Sequence, residues 1–326
     1  MLTTTGLSAP TPADVEAAAA RIAPHLRPTP LETYPGLSEL VGTEVWVKHE
    51  NRLPTGAFKV RGGINLVSQL DEEERGRGLI SASTGNHGQS VAYAAALFGV
   101  RAAICVPEAA NQLKVESMRR LGAEIVVHGR DFDDAREYCE ELAEREGYRY
   151  VHSGDEPHLI AGVGTATLEI VGAEPGVDTL VVPIGGGSGA AGACIAGKAL
   201  KPALEVIGVQ SEAAPAGYRS WREGRVVEDR METFAEGLAT RVGFELPQQI
   251  MREQLDDFVL VPEDAIRAAM VHLLEQTRQL VEAAGATAFA GALELRERLA
   301  GKRVAVICSG GNITLEQLRE LLAWAA

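Results

Sequence analysis

Very little in this chain points to a secreted, membrane-bound or metal-bound protein. The N-terminus has no basic segment followed by an apolar core, and its first positive residue is Arg21, so no secretory leader is expected. No apolar run approaches the ~20 residues of a membrane span. The four cysteines, Cys105, Cys139, Cys194 and Cys308, are scattered without CxxC spacing, which argues for reduced thiols in a cytoplasmic protein. The seven histidines include no HxxxH or HExxH arrangement, so no metal site is expected. Positive charge is short as well. A formal net charge of −14 argues against a nucleic-acid partner, which needs a basic face to neutralise phosphates, and leaves a small molecule as the better ligand. Lysine in particular is rare, occurring only at Lys48, Lys59, Lys114, Lys198, Lys201 and Lys302, while arginine supplies most of the positive charge.

What is present is a large soluble core. The chain has 326 residues, 46% of them hydrophobic and 23% charged, which is longer than the roughly 250–300 residues at which single cores tend to split. Thr11-Pro12-Ala13-Asp14 before an alanine-rich run reads as a capping box opening a helix to Ile22. Strands are then expected at 44–48, 78–82, 101–106, 124–128, 179–183, 205–210 and 303–308. Helices are expected at 60–70, 86–98, 112–121, 133–146, 162–171, 189–200, 262–284, 287–299 and 315–324. Apolar strands alternating with helices predict parallel sheets covered on both faces. The two series of strands suggest two α/β domains with a cleft between them: a large one from 1–52 and 152–326, and a small one from 53–151.

Lys59 stands between a turn (Pro54, Gly56) and the pair Gly62-Gly63, directly after Phe58. An amine that must lose its proton and attack a carbonyl cannot be replaced by a guanidinium, so a lysine in this setting is a candidate nucleophile; in isolation it equally opens a helix. Leu180–Ile184 runs into Gly185-Gly186-Gly187-Ser188-Gly189, where glycines let successive backbone N–H groups converge at a helix start and hold a phosphate. Residues 187–192 also fit GxGxxG, so a dinucleotide site, with Glu205 or Glu212 on the ribose, and a purely structural turn both stay open. At Ser83-Thr84-Gly85-Asn86-His87, hydroxyls and an amide gather at another helix start, which suits either a carboxylate or simple capping. His87 alone reads more readily as a hydrogen-bonded buried histidine than as a base. Ser309-Gly310-Gly311-Asn312 ends a third buried strand, where ligands of open α/β sheets bind. A reactive lysine, a phosphate cup and a carboxylate site together describe pyridoxal 5′-phosphate and an amino acid.

These segments, in this order from Thr29-Pro30-Leu31 to Asn312, closely resemble the fold-type II pyridoxal-phosphate enzymes of the serine/threonine dehydratase and serine racemase group. The resemblance implies two open twisted parallel-sheet domains, tryptophan synthase β-like, with the cofactor in the cleft. It places Lys59 as the lysine that tethers the cofactor and removes the Cα proton, and Phe58 beside the ring. Gly185, Gly186, Gly187, Ser188 and Gly189 would lie on the phosphate, Asn86 on the ring 3′-oxygen and Ser309 on the pyridine nitrogen. Ser83, Thr84, Asn86 and His87 would surround the substrate carboxylate, with Gly237 and Glu282 in further matching segments. A neutral hydroxyl at Ser309 cannot hold that nitrogen protonated as a carboxylate would, which favours elimination over transamination.

The implied activity is a lyase converting a β-hydroxy-α-amino acid to a 2-oxo acid and ammonia, with threonine or serine the default and phenylserine a further option, in a cytoplasmic homodimer. Ala57, Val163 and Ala283 depart from the group's usual Ser, Gln and Pro. Thr84 stands where racemases place a serine; its extra methyl restricts χ1 and argues against racemisation, though a racemase remains the alternative. Gln210 and Ala216 cannot supply the charge with which some members bind a cation, so only Glu212 is left for it. No feedback through a regulatory extension is expected past Ala326. From other classes, a nicotinamide-dependent oxidoreductase using 187–192 and a non-catalytic amino-acid-binding module remain rivals.

Overall fold

The computed structural model describes residues 6–130 and 132–326. Ten strands form two sheets: β1 (Leu31–Thr33), β2 (Glu44–His49), β3 (Leu79–Ala82), β4 (Ala102–Val106), β5 (Glu124–Val127), β6 (Arg149–Tyr150), β7 (Thr179–Pro183), β8 (Glu205–Ser211), β9 (Asp257–Val261) and β10 (Arg303–Cys308). One sheet has the order β1-β2-β10-β7-β8-β9 and the other β5-β4-β3-β6. All pairings are parallel except the edge pair β1–β2. The expected pair of parallel sheets is therefore present, and the strands of the smaller sheet all come from 79–150.

The strands pair this way because most of them are apolar on both faces. In β7, Leu180, Val181 and Val182 are each at most 2% exposed, and each such side chain stabilises the fold by about 1.5–3 kcal/mol. Helix Ala283–Glu294 covers one face of the larger sheet, and Ser188–Leu200 the other. The latter packs on helix Pro157–Ala173, so closely that a Cβ on Gly192 would fall 2.7 Å from the Ile160 carbonyl oxygen and 2.8 Å from the Gly164 nitrogen. Pro157–Ala173 also meets helix Lys59–Val67, where a Cβ on Gly162 would fall 2.7 Å from the Arg61 carbonyl oxygen. Backbone thus lies on backbone along a line that leads to Lys59.

The predicted capping box is formed, Thr11 and Asp14 each accepting from the other's backbone N–H. The expected continuous helix over 262–284 is interrupted. Helix Glu263–Thr277 ends at Arg278 in the left-handed region (φ 59°), and a new helix starts after Glu282. Helices Ala216–Glu223 and Glu245–Gln254, with edge strands β1, β6 and β9, lie outside the expected elements. Among the described residues no helix is long and apolar enough to cross a membrane.

Candidate active site

Lys59 owes its position to a turn that the far end of the chain holds in place. Gly56 takes φ +69°, which a side chain would resist, and its carbonyl accepts from the Gly311 N–H at 2.9 Å. Phe58 N–H donates to the Ser309 carbonyl at 3.0 Å, and Ala57 bridges Gly310 in antiparallel fashion. Lys59 then opens helix Lys59–Val67, with its carbonyl held by the Ser90 hydroxyl at 2.7 Å. Its Nζ donates to Ser188 Oγ at 2.9 Å and to the Ser153 carbonyl at 3.1 Å. Neither partner is charged. Burial, with no carboxylate to offset it, lowers the Lys59 pKa to about 8. Only the neutral amine attacks a carbonyl, so capture of an aldehyde such as pyridoxal phosphate by Lys59 is expected to quicken as pH rises through about 8. Stopped-flow absorbance measures this; a midpoint near an ordinary lysine would remove the argument from burial.

The glycine loop lies against this amine through Ser188. A Cβ on Gly185 would run into the Gly237 carbonyl and one on Gly186 into the Phe244 ring, while Gly187 takes φ +89°. The loop therefore has to be bare backbone. It opens helix Ser188–Leu200, whose first-turn N–H groups have no intrahelical acceptors and carry the positive end of the helix dipole. An anion fits there, beside an amine. A Cβ on Gly189 would meet the Phe58 ring at 3.2 Å, so that ring lies over the same helix start. The dinucleotide reading of 187–192 loses one of its two candidate ribose acids: Glu205 begins β8 at the strand end remote from the loop and is bonded to Lys302 and Arg298, whereas exposed Glu212 follows β8 at the loop's own end.

At the start of helix Asn86–Phe98, the Ser83 hydroxyl accepts from Gly85 N–H at 3.2 Å and Gly88 N–H at 2.9 Å, so it caps. Ser81 gives its one proton to the Val151 carbonyl at 2.7 Å and so accepts from His87 Nε2 at 2.9 Å. Burial, and then the charge of nearby Lys59, lower the His87 pKa to about 3 and so favour the neutral ring. His87 Nε2 is taken up by Ser81 and its Nδ1 is buried without a partner among the described residues, so His87 and Asn86 offer an anion their backbone N–H groups, which lack intrahelical acceptors. Thr84 is partly exposed, and among the described residues its hydroxyl has no protein partner.

Ser309 is buried at the end of β10, its hydroxyl donating to the Ala284 carbonyl at a long 3.3 Å. Asn86 Nδ2 donates to Glu282 Oε1 at 2.6 Å, and Asn86 Oδ1 accepts from Asn312 Nδ2 at 2.7 Å. Glu282, Gly237 and Ala284 line a cavity of about 660 Å³ with Lys114 and Glu236. In its lining Lys114 pairs with Glu236, which also accepts from Gln317 Nε2 at 2.8 Å. The four motifs therefore converge through direct contacts, Lys59 on Ser188, Phe58 on Ser309, Asn86 on Asn312 and Glu282, and Gly185 on Gly237.

The sequence did not single out Ser153, the side chain of Asn312, or a buried charge network beneath the lysine helix. There Arg61, 0% exposed, donates to Glu50 at 2.6 and 2.8 Å and to Glu169 at 2.6 and 2.9 Å. Lys48 pairs with Glu169 and donates to the Thr29 carbonyl at 2.8 Å. Burial opposes the charge of Arg61, but the two carboxylates outweigh it and hold its proton more firmly than usual. Among the described residues, no three or more His, Cys, Asp or Glu side chains gather as a metal would need.

The amine, the anion cradle and the neutral hydroxyl at a strand end fit a phosphate-bearing aldehyde with a ring nitrogen, and comparison with known proteins agrees. The model of the family described as pyridoxal-phosphate dependent enzyme matches residues 22–310. The L-threonine ammonia-lyase of Thermotoga maritima is 40% identical over 88% of this chain and 71% of its own length. The L-threo-3-hydroxyaspartate ammonia-lyase of Saccharomyces cerevisiae is 36% identical over 96% of this chain and 97% of its own. The crystal structure of serine racemase from Dictyostelium discoideum superposes with a TM-score of 0.89 at 34% identity, covering 94% of this chain and all of that one. Matches of this length and identity make the chain a member of the pyridoxal-phosphate dependent enzymes, in the group that holds these ammonia-lyases and racemases.

Proposed function

We propose that the chain is an ammonia-lyase that converts a β-hydroxy-α-amino acid, threonine or serine before others, to a 2-oxo acid and ammonia. The observation that carries this reading is Lys59: an amine with only uncharged partners and a pKa lowered to about 8 can tether an aldehyde and exchange a proton near neutral pH. Pyridoxal phosphate, when bound, supplies the electron sink that acidifies the Cα–H of an amino acid held on it. Gly185 to Gly189 would hold its phosphate, Phe58 pack on its ring, Asn86 meet its 3′-oxygen and Ser309 its nitrogen. Lys59, once free, takes the Cα proton, and Ser188 Oγ and the Ser153 carbonyl are placed to accept from the resulting ammonium. Ser309 offers a hydroxyl and no formal charge, so the nitrogen beside it is not forced to stay protonated, and loss of the β-substituent is favoured over transamination. The N-terminus of helix Asn86–Phe98, with Ser83, Thr84 and the His87 N–H, suits the substrate carboxylate. The Thermotoga and yeast relatives, both named ammonia-lyases, support the reaction class.

A racemase is the second reading. It is favoured by the Dictyostelium structure and by the Thr84 hydroxyl, which has no protein partner among the described residues. We also propose that residues 1–52 with 152–326 form the cofactor-holding unit and 53–151 the smaller one, as the sorting of strands between the sheets supports. The four unpaired cysteines suit a cytoplasmic setting, and the group suggests a homodimer, which sedimentation would test. One assay separates the readings. With threonine, serine, phenylserine and 3-hydroxyaspartate, ammonia and 2-oxo acid should appear in equal amounts from at least one substrate. D-amino acid without ammonia would establish the racemase, and neither product from any of the four would overturn both.

A further inference from the structure

One hydrogen-bond chain in this site has a polarity that heavy atoms alone determine. The Thr55 carbonyl can only accept, so the atom of Asn312 lying 2.8 Å from it is the amide nitrogen. That nitrogen also lies 2.7 Å from Asn86 and donates there, so Asn86 turns its oxygen to Asn312 and its nitrogen to Glu282, 2.6 Å away. The chain runs from the lysine loop, through the segment after β10, to a helix start on the smaller sheet, and it ends on Glu282. Glu282 is held firmly in place. Its N–H donates to the Gly310 carbonyl at 3.2 Å and its own carbonyl accepts from Ala286 N–H at 3.1 Å at the start of helix Ala283–Glu294, and a Cβ on Gly310 would collide with its Oε1. Burial raises its carboxyl above the usual range, and the Asn86 donor draws it back in part. A carboxyl kept where burial disfavours its charge marks a functional setting.

We propose that Glu282 is a positioning residue for the cofactor: by accepting one amide proton of Asn86 it fixes the torsion of that side chain and leaves the second proton directed at the cofactor's ring oxygen. The inference rests on the reading that Asn86 meets that oxygen. Glu282 itself need not touch the cofactor. It completes a relay whose other end, Thr55, belongs to the loop that presents Lys59, so the tethering amine and the ring contact are set by one connected group of side chains.

The test is the affinity of the apoprotein for pyridoxal phosphate, titrated by visible absorbance, together with the position of the bound cofactor's band. E282A should weaken binding about tenfold, as expected for one hydrogen bond to a charged group, and shift the band. E282Q, whose amide oxygen still accepts from Asn86, should restore both to within about twofold. N86A should weaken binding by a similar factor, and E282A added to N86A should cost nothing more, because the effect passes through Asn86. If E282A fails to fold by circular dichroism, E282M, similar in size and without an acceptor, carries the same prediction. Wild-type affinity and band in E282A, or a further loss when it is added to N86A, would overturn the role of Glu282 and leave that of Asn86 standing. Wild-type affinity in N86A would instead remove the reading of Asn86, and this inference with it.

Discussion

Lys59→Ala is expected to leave a folded, colourless protein whose turnover of any hydroxy amino acid is lower by more than about 10⁴-fold, since one amine serves as both tether and base. The fold should survive because the amine contributes little to it. Its two hydrogen bonds go to uncharged oxygens, while burial works against its charge, so truncation removes a desolvation cost along with those bonds. Thermal unfolding of the apoproteins should therefore be unchanged or raised. Ammonia release, the visible band and borohydride trapping together check the prediction. A variant that lost its colour but kept a substantial fraction of turnover would assign the proton transfer to another group.

Arg61→Leu should have the largest effect on stability, about 3–5 kcal/mol, because it strands carboxylates that, among the described residues, only Arg61 and Lys48 pair with. Glu50 is 0% exposed, accepts twice from Arg61 and once from Thr29 at 2.6 Å, and would keep only the neutral donor. The network joins β2, the lysine helix and helix Pro157–Ala173, so its loss should also loosen the seating of Lys59. Urea denaturation of the apoprotein measures the first effect and cofactor affinity the second. An unchanged urea midpoint would overturn the claim that the network stabilises the fold. Replacing Arg61, Glu50 and Glu169 together with apolar residues of similar volume should cost much less than Arg61→Leu alone, since no charge is then left unpaired.

The elements that could be read in advance are those whose signals are local. Thr179–Pro183 and Arg303–Cys308 are apolar runs closed by glycines, and Asn86–Phe98 starts after a glycine and ends before one; all three have the expected bounds. The break at Arg278 carries no such mark, because a left-handed cap is ordinarily a glycine and here is an arginine. Strands β6 and β1 are two and three residues long, too short for a pattern, and β9 is an edge strand whose partner β8 lies about 50 positions earlier. The site followed the same rule. Its four motifs were legible as residues, whereas Glu169, 108 positions from Arg61, and Glu282, 196 from Asn86, are partners that only the fold supplies. Ala57 has a structural account as well: it is fully buried where its backbone bridges Gly310.

β10 lies in the middle of the larger sheet, between β2 and β7, although its residues come after those of every other strand. A growing chain therefore holds open the central slot of its main sheet until residues 303–308 have been made, and the turn that presents Lys59 waits for Ser309, Gly310 and Gly311 to fix it. Contacts so far apart in sequence are slow to form, and the exposed flanks of β2 and β7 invite wrong pairing meanwhile. The arrangement acts as a safeguard in time: the reactive amine acquires its surroundings only once nearly all of this sequence exists, so a prematurely ended chain carries the lysine without the pocket.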